Sequence, residues 1–174
     1  MTAPFPAPPV PVVIRPELPA DADPIHRLTE RAFEGRTFSS GTEAGIVRAL
    51  RKSGALTLSL VAEHGGSVVG HVAFSPVRVS GTGGAWFGLG PISVDPDLQR
   101  RGIGRRLVTR GLDHLRRAGA AGCALIGDPA VYSRYGFVSG GLTYAGVHPD
   151  LVQYVAFGSA VPRGTLLFGS AFDG

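Results

Sequence analysis

The chain has one cysteine, Cys123, so no intrachain disulfide can form and a disulfide-stapled secreted scaffold is excluded. Cys123 lies in the apolar stretch Gly122-Cys123-Ala124-Leu125-Ile126, where a thiol acts as a small buried hydrophobe. No run approaches the roughly 18 apolar residues that a membrane span needs. Nor does a cationic start lead into an apolar segment; with neither a span nor a secretory signal, the expected location is the cytoplasm. His26, His64, His114 and His148 show no metal-ligand spacing, and no metal is expected. The lysine-containing phosphate loop G-x-x-x-x-G-K-[ST] is missing, and so is the dinucleotide fingerprint G-x-G-x-x-G. Signatures of zinc deaminases and of the common DNA readers are absent as well.

What is present is 174 residues, 44% of them hydrophobic, enough for one domain with a proper core. Residues 12–174 are assigned to that domain. Residues 1–11 are too rich in proline to join a ladder or a helix and are expected to form a disordered tail. The formal net charge is +4, with the basic residues concentrated between Arg100 and Arg117. Such a patch attracts nucleic acid or a small polyanion. With no aromatic residues interleaved for base stacking, the small polyanion is preferred.

An apolar run, Leu89-Gly90-Pro91-Ile92-Ser93-Val94, passes through Asp95-Pro96-Asp97 into Gln99-Arg100-Arg101-Gly102-Ile103-Gly104-Arg105-Arg106. Beyond Gly102, the apolar Ile103, Leu107, Val108, Gly111, Leu112 and Leu115 recur at helical spacing, which predicts an amphipathic helix packed on a core. The first turn of a helix leaves N–H groups unpartnered and carries partial positive charge, so glycine there lets a phosphate come close. Gly102 and Gly104 give that clearance. Arg100, Arg101 and Arg105 add planar donors suited to phosphate oxygens, and the expected ligand is phosphorylated.

The pattern Q-x-x-G-x-G at Gln99–Gly104, preceded by a strand ending Val94-Asp95-Pro96, resembles the acetyl-CoA-binding signature of the GNAT superfamily of N-acetyltransferases. A second segment, Leu125-Ile126-Gly127-Asp128-Pro129-Ala130-Val131-Tyr132-Ser133-Arg134-Tyr135-Gly136-Phe137, resembles the family's other CoA-side segment, particularly in its YhbS-like branch. The likeness extends over residues 12–172. It implies an α/β fold with a mixed, mostly antiparallel sheet flanked by helices and a splayed parallel strand pair at its centre. It also implies an acyltransferase with acetyl-CoA as cosubstrate.

Along the chain, Val12–Arg15 is a predicted strand and Asp23-Pro24 a helix start, with Ile25, Leu28, Ala32 and Phe33 facing inward. Residues 34–41, rich in glycine and serine, form a loop. A second helix begins near Thr42-Glu43 and buries Ile46, Val47 and Leu50. Leu56–Glu63 and Val68–Phe74 alternate as a hairpin. The strand Ala85–Val94 contains Gly88, Gly90 and Pro91 and is expected to splay from its next neighbour. That neighbour, residues 122–127, is predicted to run parallel through the crossover helix. Short strands follow at Tyr154–Phe157 and Thr165–Phe168, and the apolar Leu166–Phe172 reads as interior or, in a homodimer, as a contact.

The resemblance places pantetheine along the backbone of Ile92, Ser93 and Val94, and pyrophosphate on Arg100, Arg101, Gly102, Ile103, Gly104 and Arg105. It assigns the oxyanion to the backbone N–H of Val94 and the general acid to Tyr132, with Tyr135 as a packing residue. No carboxylate stands on Leu89-Gly90-Pro91, so Glu43, His71 and solvent water share the role of base; Glu43 also reads as a helix cap and His71 as a strand-face residue. The acceptor is a primary amine of a small molecule, an amino acid, an antibiotic or a protein terminus. Two other readings stay open: a catalytically silent acyl-CoA-binding sensor or interaction module, and nucleic-acid binding by the basic helix.

Overall fold

The computed structural model describes residues 8–173. Its elements in chain order are β1 (Val13–Pro16), α1 (Ala22–Phe33), α2 (Glu43–Ser53), β2 (Leu58–His64), β3 (Ser67–Val79), β4 (Trp86–Val94) and α3 (Ile103–Arg117). There follow β5 (Gly122–Ile126), α4 (Pro129–Tyr132), β6 (Val138–Ser139), β7 (Leu142–Thr143), β8 (Val152–Ala156) and β9 (Gly164–Leu167).

One mixed sheet runs in the order β1-β2-β3-β4-β5-β8-β6, and β9 joins the far half of β3 and pairs with β7. The β4–β5 pair is parallel, as the intervening helix requires, whereas β1–β2, β2–β3, β3–β4 and β5–β8 are antiparallel. A second parallel pair, β7–β9, was not legible in the sequence because both strands are short.

The two faces are covered differently. Helix α3 lies on the face that carries Val72 and Phe74 and contributes Ile103, Leu107, Val108, Leu112 and Leu115 to one buried cluster. It comes this close because position 111 is glycine: a Cβ there would collide with the Phe74 ring. Helices α1 and α2 lie on the opposite face, where Ile25 and Val47 pack on Val61 of β2.

Several boundaries differ from expectation. Helix α1 begins at Ala22 with Asp21 as its N-cap, because the Asp21 carboxylate is held by Arg15 at 2.7 Å and by the Leu18 amide at 2.6 Å. Residues 10 and 11, expected in the tail, are instead held: Val10 is buried in the core and the Pro11 carbonyl lies 2.7 Å from Nδ1 of His64. Residues 1–7 lie outside the described residues. Strand β3 runs on to Val79 rather than ending at Phe74, since β9 supplies partners for Arg78 and Val79. The apolar C-terminal segment is a strand only to Leu167, with Leu166 buried and residues 170–172 in a 3-10 turn.

Candidate active site

The sheet opens at the centre. Strands β4 and β5 pair at Trp86–Gly122, Phe87–Cys123 and Gly88–Ala124 and then part, while β5 stays with β8 as far as Ile126. On its other side β4 remains with β3, with an irregularity between Val72 and Phe74 that takes up the extra residues at Gly90-Pro91. A bulge of this kind bends the strand that carries it, and β4 accordingly leaves β5.

Register decides which backbone groups face the opening. Asp95 donates its amide to the Val69 carbonyl at 2.8 Å, and His71 is opposite Ser93 in the same ladder. Hydrogen-bonded and outward-facing residues alternate along an antiparallel strand. Ile92 and Val94 therefore turn their N–H and C=O groups to the open edge, where β5 has already diverged. The backbone of Ser93 faces β3 instead, and its side chain is buried. Of the three residues expected along pantetheine, Ile92 and Val94 turn backbone groups to the open edge and Ser93 turns its own to β3.

The turn after β4 delivers the helix start. Gly102 caps α3 with φ 85° and no side-chain cap bond, leaving the amides of Ile103, Gly104 and Arg105 available. Acidic residues, which would suit the positive end of a helix, are missing from this first turn. Arg105 stands there, exposed, with Arg100 exposed and Arg101 half-buried beside it. Stacking cations on the positive end of a dipole is unfavourable unless an anion joins them. The Ile103 side chain is buried in the core, so only its backbone is offered. Arg106 is spent elsewhere, donating to the Val12 carbonyl at 2.8 Å.

Across the opening, α4 is short and capped by Asp128, whose side chain accepts from the Ala130 amide at 2.9 Å. This puts the Tyr132 ring over Gly127, where a Cβ would lie 2.7 Å from Cε2. Phe137 meets that ring edge-on, with centroids 6.0 Å apart. Burial pushes the Tyr132 phenol up to about 12, so it keeps its proton through the neutral range. Tyr135 is shifted in the same direction, also by burial.

The base candidates fare differently. Glu43 lines a cleft of about 800 Å³ between α1 and α2 together with Glu30, Phe33 and Glu34. Its carboxylate is engaged in bracing the loop before α2, accepting from Ser39 at 2.9 Å and from the Ser40 amide at 3.0 Å. His71 has no solvent exposure and cannot touch an acceptor directly. Its Nε2 lies 2.8 Å from Oγ of Ser59, Ser59 in turn donates to Glu17, and burial lowers its pKa to about 4. Sequence spacing gave no sign of this network, because Glu17 and Ser59 stand far apart in the chain.

The α1–α2 cleft adjoins the turn between β4 and α3. Arg31 reaches Asp95 at 3.4 Å and Arg36 reaches Gln99 at 3.3 Å, tying the end of α1 and its loop to the β4–α3 turn. Gln99 also donates to the Val94 carbonyl at 3.2 Å. Among the described residues, no group of three or more His, Cys, Asp or Glu side chains is placed to hold a metal ion.

Comparison with known proteins gives concordant matches. A model of the acetyltransferase (GNAT) family matches residues 23–137. An uncharacterized N-acetyltransferase of Escherichia coli K12, YhbS, is 46% identical over 127 residues, covering 72% of this chain and 73% of its own. The crystal structure of a GNAT family acetyltransferase from Brucella melitensis in complex with acetyl-CoA superposes with a TM-score of 0.84 at 46% identity, over 94% of this chain and 99% of that one. Escherichia coli YhbS in complex with CoA superposes with a TM-score of 0.86 at 37% identity, over 95% of this chain and 94% of that one.

Proposed function

The chain belongs to the acetyltransferase (GNAT) family, and from that premise we propose that it moves the acetyl group of acetyl-CoA directly to a primary amine, without a covalent enzyme intermediate. The observation that carries this reading is the outward turn of Ile92 and Val94 at the open edge of β4, together with an α3 N-terminus that no side chain caps. Pantetheine adds to that edge as a further strand would. Its pyrophosphate rests on the amides of Ile103, Gly104 and Arg105, flanked by Arg100 and Arg101.

Held at both ends, the thioester presents its carbonyl to the Val94 amide. That amide is fixed by the strand and takes up the negative charge that develops on the oxygen of the tetrahedral species. The amine enters from the α1–α2 side. Tyr132, protonated and beside the opening, gives its proton to the departing CoA sulfur and is reset from solvent. Oxyanion donor and acid thus come from separate elements, β4 and α4, on either side of one opening that the amine enters. Glu43 serves the loop, and the acceptor's own proton leaves by another route.

The test is release of CoA thiol from acetyl-CoA with spermidine, tyramine, kanamycin and an alanine-initiated peptide as acceptors. Cys123 is buried and its thiol is pushed up by burial, so a thiol reagent reports CoA alone on the folded protein. Amine-dependent release is expected with at least one acceptor. Saturable acetyl-CoA binding with no release across the panel would leave a silent acyl-CoA-binding module instead.

A further inference from the structure

On the face covered by α1 and α2, polar side chains are buried in a row that crosses the sheet. Val61 packs under α1 and α2, and His71 is its direct partner on β3, so both side chains share that face. His71 is in turn opposite Ser93 on β4. Ser59 of β2 lies beside His71, and Glu17, just beyond β1, completes the row. Ser93, His71 and Ser59 are all nine-tenths or more buried. Among the described residues, Nδ1 of His71 and Oγ of Ser93 have no hydrogen-bond partner, a costly state for buried polar atoms unless something else joins them.

The hydrogen bonds give the row a direction. An ionised Glu17 can only accept, so Ser59 donates to it, and the Ser59 oxygen is left to accept from Nε2–H of His71. Nδ1 is then the unprotonated nitrogen, and it belongs to the residue opposite Ser93, whose chain neighbours Ile92 and Val94 line the opening. At the other end, Glu17 and Ser59 line a surface cleft of about 330 Å³ together with Arg51, and Arg51 pairs with Glu17 at 2.9 Å.

We propose that Ser93, His71, Ser59 and Glu17 form a proton path that relieves the acceptor's ammonium nitrogen of its proton; this rests on acetyl transfer to an amine. One N–H bond of the ammonium breaks. Its proton passes by Ser93, with one water where needed, to Nδ1 of His71. The resulting imidazolium keeps Nε2–H on Ser59, backed by the Glu17 carboxylate, and returns the proton to water as products leave. The charged groups around the imidazole are Glu17, Arg51 and Asp21, the last tied to Arg15. With burial keeping the ring neutral at pH 7, His71 carries a proton in passing rather than storing it. His71, Ser59 and Glu17 act through Ser93 and are positioning residues.

The test compares wild type with Ser93→Ala, Ser59→Ala and His71→Gln, using acetyl-CoA and whichever of the four named acceptors wild type uses, at pH 7 and pH 9.5. Thermal unfolding and acetyl-CoA titration establish that each variant folds; the two serine variants carry the test if His71→Gln does not. At pH 7, kcat is expected to fall about tenfold or more, with acetyl-CoA affinity within about twofold of wild type and the Ser93→Ala/Ser59→Ala double variant no worse than the worse single variant. At pH 9.5 more of the amine arrives already deprotonated, and the deficit is expected to shrink. A purely structural role would leave the deficit the same at both pH values. That result, or unchanged kcat at pH 7, overturns the path while acetyl transfer stands. Absence of CoA release by wild type with every acceptor removes acetyl transfer itself, and the path with it.

Discussion

The Asp95 amide is given to the Val69 carbonyl at 2.8 Å, and this ladder bond turns the amide and carbonyl of Val94 to the open edge of β4. Disturbing that register by one residue would present Ser93 and Asp95 to the cofactor instead and turn every side chain of the strand to the other face. The oxyanion donor we propose is therefore a property of strand pairing, which side-chain substitution at position 94 alone does not remove. Val94→Ala is expected to keep kcat within about threefold of wild type, because the N–H remains. Steady-state kinetics with a saturating acceptor checks this.

Tyr132 has a phenol whose proton is retained by burial and a ring wedged between Gly127 and Phe137. Tyr132→Phe keeps that packing and removes only the hydroxyl. A loss of about 100-fold in kcat is expected, with the acetyl-CoA dissociation constant nearly unchanged. Turnover equal to wild type would take Tyr132 out of the mechanism.

Folding stability carries its own pH signature. His71 is driven below its ordinary value of 6.5 to about 4 by burial, so the native state favours the neutral ring more than the unfolded chain does. Its contribution is complete above pH 6.5 and is lost as pH falls toward 4, about 3 kcal/mol in all. Asp21, held below the usual carboxylate range by its bond from Arg15, adds loss in the same direction at lower pH. Denaturant unfolding at pH 7 and pH 4.5 should show wild type losing more stability than His71→Gln over that interval. Equal losses would contradict the assignment.

Position 111 governs how closely α3 lies on the sheet. Because a Cβ there meets the Phe74 ring, Gly111→Ala is expected to destabilise by about 1–3 kcal/mol. Thermal unfolding measures this, and Phe74→Leu in the same chain should recover part of the loss.

The parts legible in the sequence are those written locally. Helical periodicity from Ile103 to Leu115 located α3, and Gly88, Gly90 and Pro91 marked where β4 would leave β5. Gly102 and Gly104 marked the start of α3, which no side chain caps. What escaped depends on residues brought together from afar. Which way the backbone of Ser93 faces could not be read until the Asp95–Val69 bond fixed the register. His71 read as a base candidate or a strand-face residue, and its neighbours Ser59 and Glu17 could not be foreseen because β2 and the segment after β1 bring them to it. Val10 was assigned to a tail because its neighbours are prolines, yet its own side chain is buried in the core.

Calorimetric titration with acetyl-CoA, CoA and ATP tests the proposed cofactor cradle most directly. Gly104 lies on the first turn of α3, where a Cβ would meet only Val94 Cγ2 at 3.7 Å. Gly104→Glu should therefore fold while setting a carboxylate against the pyrophosphate. Wild type is expected to bind acetyl-CoA and CoA well above ATP, and Gly104→Glu to lose about tenfold or more of that affinity. Folded wild type that binds neither acetyl-CoA nor CoA, or Gly104→Glu that binds them as wild type does, would contradict the cradle and the chemistry built on it.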